Sequence, residues 1–165
     1  MPKPIPKILA IVPGTRYFAL AVSSGYQLRD WRIKSLKGKW SKGKIEKIKA
    51  IISNYISRYG INNLAIKRVD PVRSSHNLKE LTRRIKEFAK RKGIKVFEYS
   101  LEDIKKFFSG EKINKRQLAE LVGSRYQELF SKLYKEKNNK NPYYSKIFEA
   151  VALCLVCLSQ LEKYY

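Results

Sequence analysis

"ILAIVPGTRYFALAV", residues 8–22, consists of two apolar runs joined by Pro-Gly. The first run, residues 8–13, contains no polar side chain. A strand with no hydrophilic face must be covered on both sides, so it belongs at the centre of a sheet. Proline and glycine together make a turn, and residues 16–23 then read as a returning strand. "SSG" leads into "YQLRDWRIK", residues 26–34. Its imperfect alternation fits a third strand, at the sheet edge.

Beyond this meander the periodicity changes. Ile45, Ile48, Ile52, Tyr55 and Tyr59 recur at helical spacing before Gly60, which predicts a helix and its stop. Residues 61–69, "INNLAIKRV", read as a strand closed by Pro71. Residues 76–93 read as a helix whose buried stripe is Leu78, Leu81, Ile85 and Phe88. "IKVFEYS" is the next strand. Ser100 caps a short helix, with Asp103 at the capping-box position. A long helix is expected over 115–137, a break at "KNNKNP", and a final helix over 143–161 that is apolar almost all round. The order β-β-β-α-β-α-β-α-α-α predicts an α/β domain: a mixed sheet with helices on both faces, formed by one chain of 165 residues with a short tail at 1–6.

Charge narrows the function. Thirty-six Lys and Arg against fourteen Asp and Glu give a formal charge of +22. A surface that repels itself this strongly calls for a polyanion, with nucleic acid first and an anionic membrane or acidic protein behind it. No apolar run approaches the roughly 18 residues that span a bilayer. The N-terminal stretch, with Pro4 and Pro6 ahead of its apolar residues, reads as a tail and not a signal peptide. Cys154 and Cys157 fall near one face of the last helix. With no second cysteine pair and a single histidine, His76, they read as core residues, and free thiols fit a reducing cytoplasm.

Two further motifs are weighed and set aside. "GKWSKGKI", residues 38–45, almost spells a phosphate-binding P-loop, but Ile45 stands where the Mg²⁺-binding hydroxyl is required. The basic segment 34–44 is either a solvated turn or a grip on phosphates. In the second case Lys37, Lys39, Lys42 and Lys44 are the contacts and Trp40 is available for stacking. His76, beside Ser74 and Ser75, reads as a surface residue after an N-cap and not as part of a catalytic triad.

The opening stretch resembles the RuvC-type Holliday junction resolvases, which have the RNase H-like fold. In that family an apolar strand carries an aspartate before "PG[ST]". "VFEYSLEDIKKFFSGEKINKRQLAELV", residues 96–122, is similar to the family's segment of strand, aromatic, "VK", glycine loop and "K-x-Q" helix start. The corresponding pieces here are Tyr99, Ile104-Lys105, Gly110, and Lys115 with Gln117. "SKIFEAVALCL", residues 145–155, is similar to the family's final helix, which carries two carboxylates three residues apart. The resemblance implies a five-stranded mixed sheet whose first three strands form an antiparallel meander. It also implies metal-dependent cleavage of branched DNA by two Mg²⁺ held on four carboxylates, and a homodimer.

Carried over residue by residue, those carboxylates fall on Val12, Lys67, Lys146 and Glu149. Mg²⁺ needs oxygen ligands and gives up water reluctantly, so one carboxylate among two ammonium groups and a valine is a poor two-metal site. The expectation is a catalytically degenerate resolvase-like protein with no cofactor, binding nucleic acid, DNA ahead of RNA. Its contacts would come from residues 34–44, Lys67, Arg73, the helical stripe Lys79, Arg83, Lys86 and Lys90, Lys115 and Lys146. Two alternatives stay open. One is a divergent endonuclease using Mg²⁺ or Mn²⁺ on Glu149 with Asp70 or Glu98. The other is a basic structural subunit of a ribonucleoprotein. Lys67 and Lys146 either bind phosphate directly or fill a dead site with a salt bridge to Glu149.

Overall fold

The structure is a computed structural model that describes residues 4–109, 113–129 and 142–163. Strands β1 (Lys7–Val12), β2 (Tyr17–Ser24) and β3 (Gln27–Ser35) form the antiparallel meander. Helix α1 (Lys42–Tyr59) crosses to β4 (Asn63–Lys67), parallel to β1. Helix α2 (His76–Arg91) crosses to β5 (Lys95–Tyr99), parallel to β4. The sheet order is β3-β2-β1-β4-β5. The chain then adds α3 (Leu101–Ser109), α4 (Lys115–Arg125), a 3-10 turn (Gln127–Leu129) and α5 (Pro142–Glu162).

The apolar first run is the central strand, and β3 is an edge, as the side-chain pattern requires. Alternate residues of β1 feed two cores. Leu9 and Ile11 pack with Ile48, Ile52, Leu81 and Ile85 under α1 and α2. Ile8, Ala10 and Val12 pack with Ala65, Phe148, Val151 and Leu155 under α5. The small residues Ala10, Ala19, Ala21 and Ala65 let α5 lie close on its face of the sheet. Burying a Leu, Ile or Phe side chain contributes about 1.5–3 kcal/mol, so this sandwich supplies most of the stabilisation.

Local signals agree with the tertiary ones. Gly60 ends α1 at φ 64°, a left-handed cap that favours glycine, and its N–H donates to the Ile56 carbonyl. Ser75 caps α2 by accepting from the Leu78 N–H at 3.2 Å. Ser100 and Asp103 form the reciprocal capping box, at 3.1 and 2.9 Å.

Three expectations need correction. The strand over 61–69 is shorter, Asn63–Lys67: pairing with β1 stops at Ile66, and among the described residues the only backbone bond to β5 past Lys67 is from the Arg68 N–H to the Tyr99 carbonyl, at 2.8 Å. The basic segment 34–44 is not all loop: β3 runs to Ser35, and Lys42 already opens α1. The helix expected over 115–137 stops at Arg125. Tyr126 turns extended, its ring is buried, and its hydroxyl donates to the Tyr26 carbonyl at 3.0 Å. The rest of that predicted helix, 130–137, the break before Pro142, and Gly110 of the glycine loop lie outside the described residues. Among the described residues no helix is long and apolar enough to cross a membrane.

Candidate functional site

The parallel strands β1, β4 and β5 all end at one edge of the sheet, the place where open α/β sheets tend to bind ligands. The last pair between β1 and β4, Ile11 with Ile66, immediately precedes Val12 and Lys67. Strand parity puts both side chains on the α5 face, with Ala10 and Ala65. From α5, Lys146 and Glu149 sit one turn apart on the face that packs on the sheet. The four positions carried over from the resemblance therefore lie at one end of the sheet.

Glu149 is the centre of the cluster. Its side chain is 2% exposed, and Oε2 accepts from Lys67 Nζ at 3.1 Å. Its other oxygen, Oε1, is buried without a hydrogen bond; the Lys115 ammonium lies 3.7 Å from it. Lys115 stands at the first turn of α4. That turn is set by a capping box in which Asn114 accepts from the Gln117 N–H and Gln117 accepts from the Asn114 N–H.

Lys146 is the third ammonium. Its Nζ lies 4.7 Å from the centre of the Tyr17 ring, a cation–π contact. Burial holds its pKa below the ordinary lysine value. The Glu149 carboxylate opposes that shift, and the charges of Lys67 and Lys115 reinforce it. The Pro-Gly turn has a steric role beside it. A Cβ on Gly14 would fall 2.1 Å from the Tyr17 carbonyl oxygen and 3.0 Å from Lys146 Nζ, so the turn closes over the lysine only with glycine.

This donor set does not fit a divalent metal. One carboxylate faces three ammonium groups, and Val12, 1% exposed, offers no ligand atom. Among the described residues no group of three or more His, Cys, Asp or Glu side chains could hold a metal. Nor does the rearranged site form. Glu98 points to the α1–α2 side of the sheet, since its β5 neighbours Phe97 and Tyr99 pack on the α5 side. It is paired with Lys86 and with Arg68 at 3.3 Å, and the Lys86 hydrogen bond holds its carboxyl below the usual range. Asp70 is exposed in the loop after β4, where its carboxylate accepts from the Arg73 and Val72 N–H groups, at 3.1 and 2.8 Å. Those bonds lower its pKa.

The remaining expected contacts are dispersed. Lys37 and Lys39 are exposed in the loop between β3 and α1, and Lys42 is exposed on the first turn of α1. Lys44 is turned inward, donating to the Gly38 carbonyl and lying 3.5 Å from that of Leu36. Trp40 is partly covered by the core under α1. Arg73 is exposed after β4. The stripe on α2 lies across the sheet from Glu149. Within it Arg83 binds Glu80 and Glu87 at 2.7 Å each and Lys86 binds Glu98, while Lys79 and Lys90 are exposed. Sequence reasoning did not foresee Tyr17 as the bed for Lys146. The only available signal was an aromatic three residues after the Pro-Gly glycine.

Similarity to known proteins lies in the fold. Thermus thermophilus RuvC superposes with a TM-score of 0.70 at 15% identity, covering 94% of this chain and 96% of that one. A second structure holds it in complex with a Holliday junction substrate. The yeast mitochondrial Holliday junction resolvase Ydc2 gives 0.63 at 13% identity, covering 98% and 82%. The fowlpox virus Holliday junction resolvase gives 0.56 at 12%, covering 93% and 99%. No family model matches the chain, and no curated protein matches it by sequence. At these identities the likeness establishes the fold: an RNase H-like sheet of the RuvC arrangement.

Proposed function

We propose that this chain is a nucleic-acid-binding protein on a RuvC-type scaffold, and that it holds phosphates where the resolvases hold metal. The observation that carries the proposal is the cluster at the ends of β1 and β4, one buried carboxylate ringed by Lys67, Lys115 and Lys146. Glu149 neutralises one of the three charges. Lys115, half-exposed, and Lys146 on its tyrosine bed keep the edge positive. An anion is attracted there and a divalent cation is repelled. The formal +22 supplies long-range steering toward the same partner.

Branched DNA is the favoured ligand because the similar structures include a resolvase bound to a Holliday junction. No base-reading motif is visible, so recognition rests on backbone phosphates and shape. The salt dependence should then be steep, about −0.9 in log–log slope per phosphate neutralised on B-form DNA.

The test is one gel-shift series with a four-way junction, a linear duplex and a structured RNA, each with and without Mn²⁺. The expected result is a shifted, uncut junction that binds more tightly than the duplex. Recovered cleavage products from protein free of contaminating nuclease would assign the chain to the endonucleases. A preference for RNA would move it to the ribonucleoprotein class. Unchanged affinity of Lys67→Ala at low salt would remove the phosphate role from Lys67.

A further inference from the structure

At the other end of the sheet lies a second basic concavity. It has a volume of about 410 Å³ and is lined by Lys7, Ser24, Arg29, Arg58, Tyr59 and Gly60, among others. Strand β1 is six residues long, so roughly 20 Å separates this opening from the Val12 end. The two sites share no residue.

The local geometry places the three cations there. Val22 pairs with Asp30 and Ser23 with Leu28, so Arg29 is the extra residue of a β-bulge. A bulge frees its residue from the strand alternation, and Arg29 lines the pocket with its Nη1 3.4 Å from Gln27 Oε1. Lys7 begins β1, and its Nζ lies over Gly60, where a Cβ would be 3.4 Å away. Arg58 comes from the last turn of α1, against the ring of Tyr59 at 5.2 Å.

Among the described residues no carboxylate lines the pocket. Asp30, next to Arg29 in sequence, is engaged elsewhere. It accepts from the Tyr59 hydroxyl at 2.9 Å and from the Trp31 N–H at 2.8 Å, and it lies 3.4 Å from Arg32. The C-terminal end of α1 contributes about half a negative charge, which offsets only part of three full positive ones. Two arginines and a lysine lining one opening suit the oxygens of a phosphate, since arginine binds such groups through paired donors.

We propose that Lys7, Arg29 and Arg58 form a second anion site, specific for phosphate groups, at the end of the sheet opposite Glu149. The phosphate comes either from a nucleic-acid backbone that reaches both ends of the sheet or from a small phosphorylated compound. The site stands whether or not the Lys67–Glu149 cluster binds DNA.

The test follows Arg29 and Arg58 side-chain and Tyr59 backbone signals by NMR, in the whole chain, during titration with pyrophosphate and separately with a 20-base-pair duplex. The control is Arg29→Gln with Arg58→Gln, checked for an unchanged thermal melt. Should that pair fail to fold, Arg29→Lys with Arg58→Lys replaces it, keeping the charge and removing the fork. Pyrophosphate should shift these signals in the wild-type chain and lose at least tenfold in affinity in the variant. If the duplex competes, and the variant's salt slope for duplex falls by about 1–2, the backbone is the source. Pyrophosphate binding without duplex competition identifies a small phosphorylated ligand. Absence of any shift, or equal pyrophosphate affinity in wild type and variant, overturns the site.

Discussion

Lys67 and Glu149, 82 positions apart in sequence, meet at 3.1 Å with the carboxylate almost wholly buried. The pair joins the end of β4 to α5, and it converts a position that the resemblance assigns to metal into an internal ion pair. Such a pair is expensive to break from one side, because the partner is left buried and uncompensated. Glu149→Gln should therefore destabilise the fold by about 1–3 kcal/mol, less than a fully buried pair because Lys67 keeps some solvent contact. The same substitution releases Lys67 toward an anion. Urea melts and DNA titrations together check the idea: stability falls while affinity for the junction rises several-fold. A loss of both, in a variant that still melts cooperatively, would show that Glu149 positions the lysines for binding.

Lys146 carries a prediction for pH. Burial disfavours its charged form, so its folded pKa lies below that of the unfolded chain. Between those two values the unfolded state binds more protons, and stability rises with pH. The cost of keeping Lys146 charged is fully present below its folded pKa and is relieved as pH rises through it. Lys146→Met keeps the length and removes the charge. It should raise stability at pH 7 by about 1 kcal/mol and flatten the alkaline rise. Thermal melts of both proteins from pH 7 to 10 provide the check; parallel curves would refute the assignment.

Much of this was legible because it rests on short-range pattern. The unbroken apolar run at Ile8–Val12 placed β1 at the sheet centre, and Gly60, Ser75 and Ser100 ended or began elements where their chemistry demands. The convergence of Val12, Lys67, Lys146 and Glu149 came from motif resemblance, since no periodicity tells which strand ends meet. The early end of α4 was invisible because Tyr126 leaves the helix for a tertiary reason, a buried ring and a hydroxyl bond to Tyr26. The basic stripe on α2 was legible as a stripe. The pairing of Lys86 with Glu98 was not, since Glu98 belongs to another element.

Cys154 and Cys157 lie in α5, buried and unpaired, one facing the Ala21 carbonyl at 3.9 Å. Burial pushes both thiols up to about 12, where almost no thiolate exists at pH 8. Neither should react with iodoacetamide on the timescale of minutes in the native protein, and both should react at once in guanidinium. Mass spectrometry after a pulse of reagent reads the outcome. Rapid native labelling of one cysteine would mean that α5 opens locally.

If charge reversal is what excludes divalent ions, restoring carboxylates should readmit them. Val12→Asp, Lys67→Glu and Lys146→Asp together would place four acids around the end of β1, leaving Lys115 as the one ammonium of the three now there. Without metal, four carboxylates in this buried setting repel one another, and the triple variant should melt several degrees below the wild type. Binding of Mn²⁺ to the folded state should recover that loss, because a ligand held a hundredfold above its dissociation constant adds about 2.7 kcal/mol. The wild-type chain should show no such shift. Calorimetric melts with and without 5 mM Mn²⁺ decide the matter: a wild-type protein stabilised as much as the variant would place a metal site elsewhere and defeat the argument from charge.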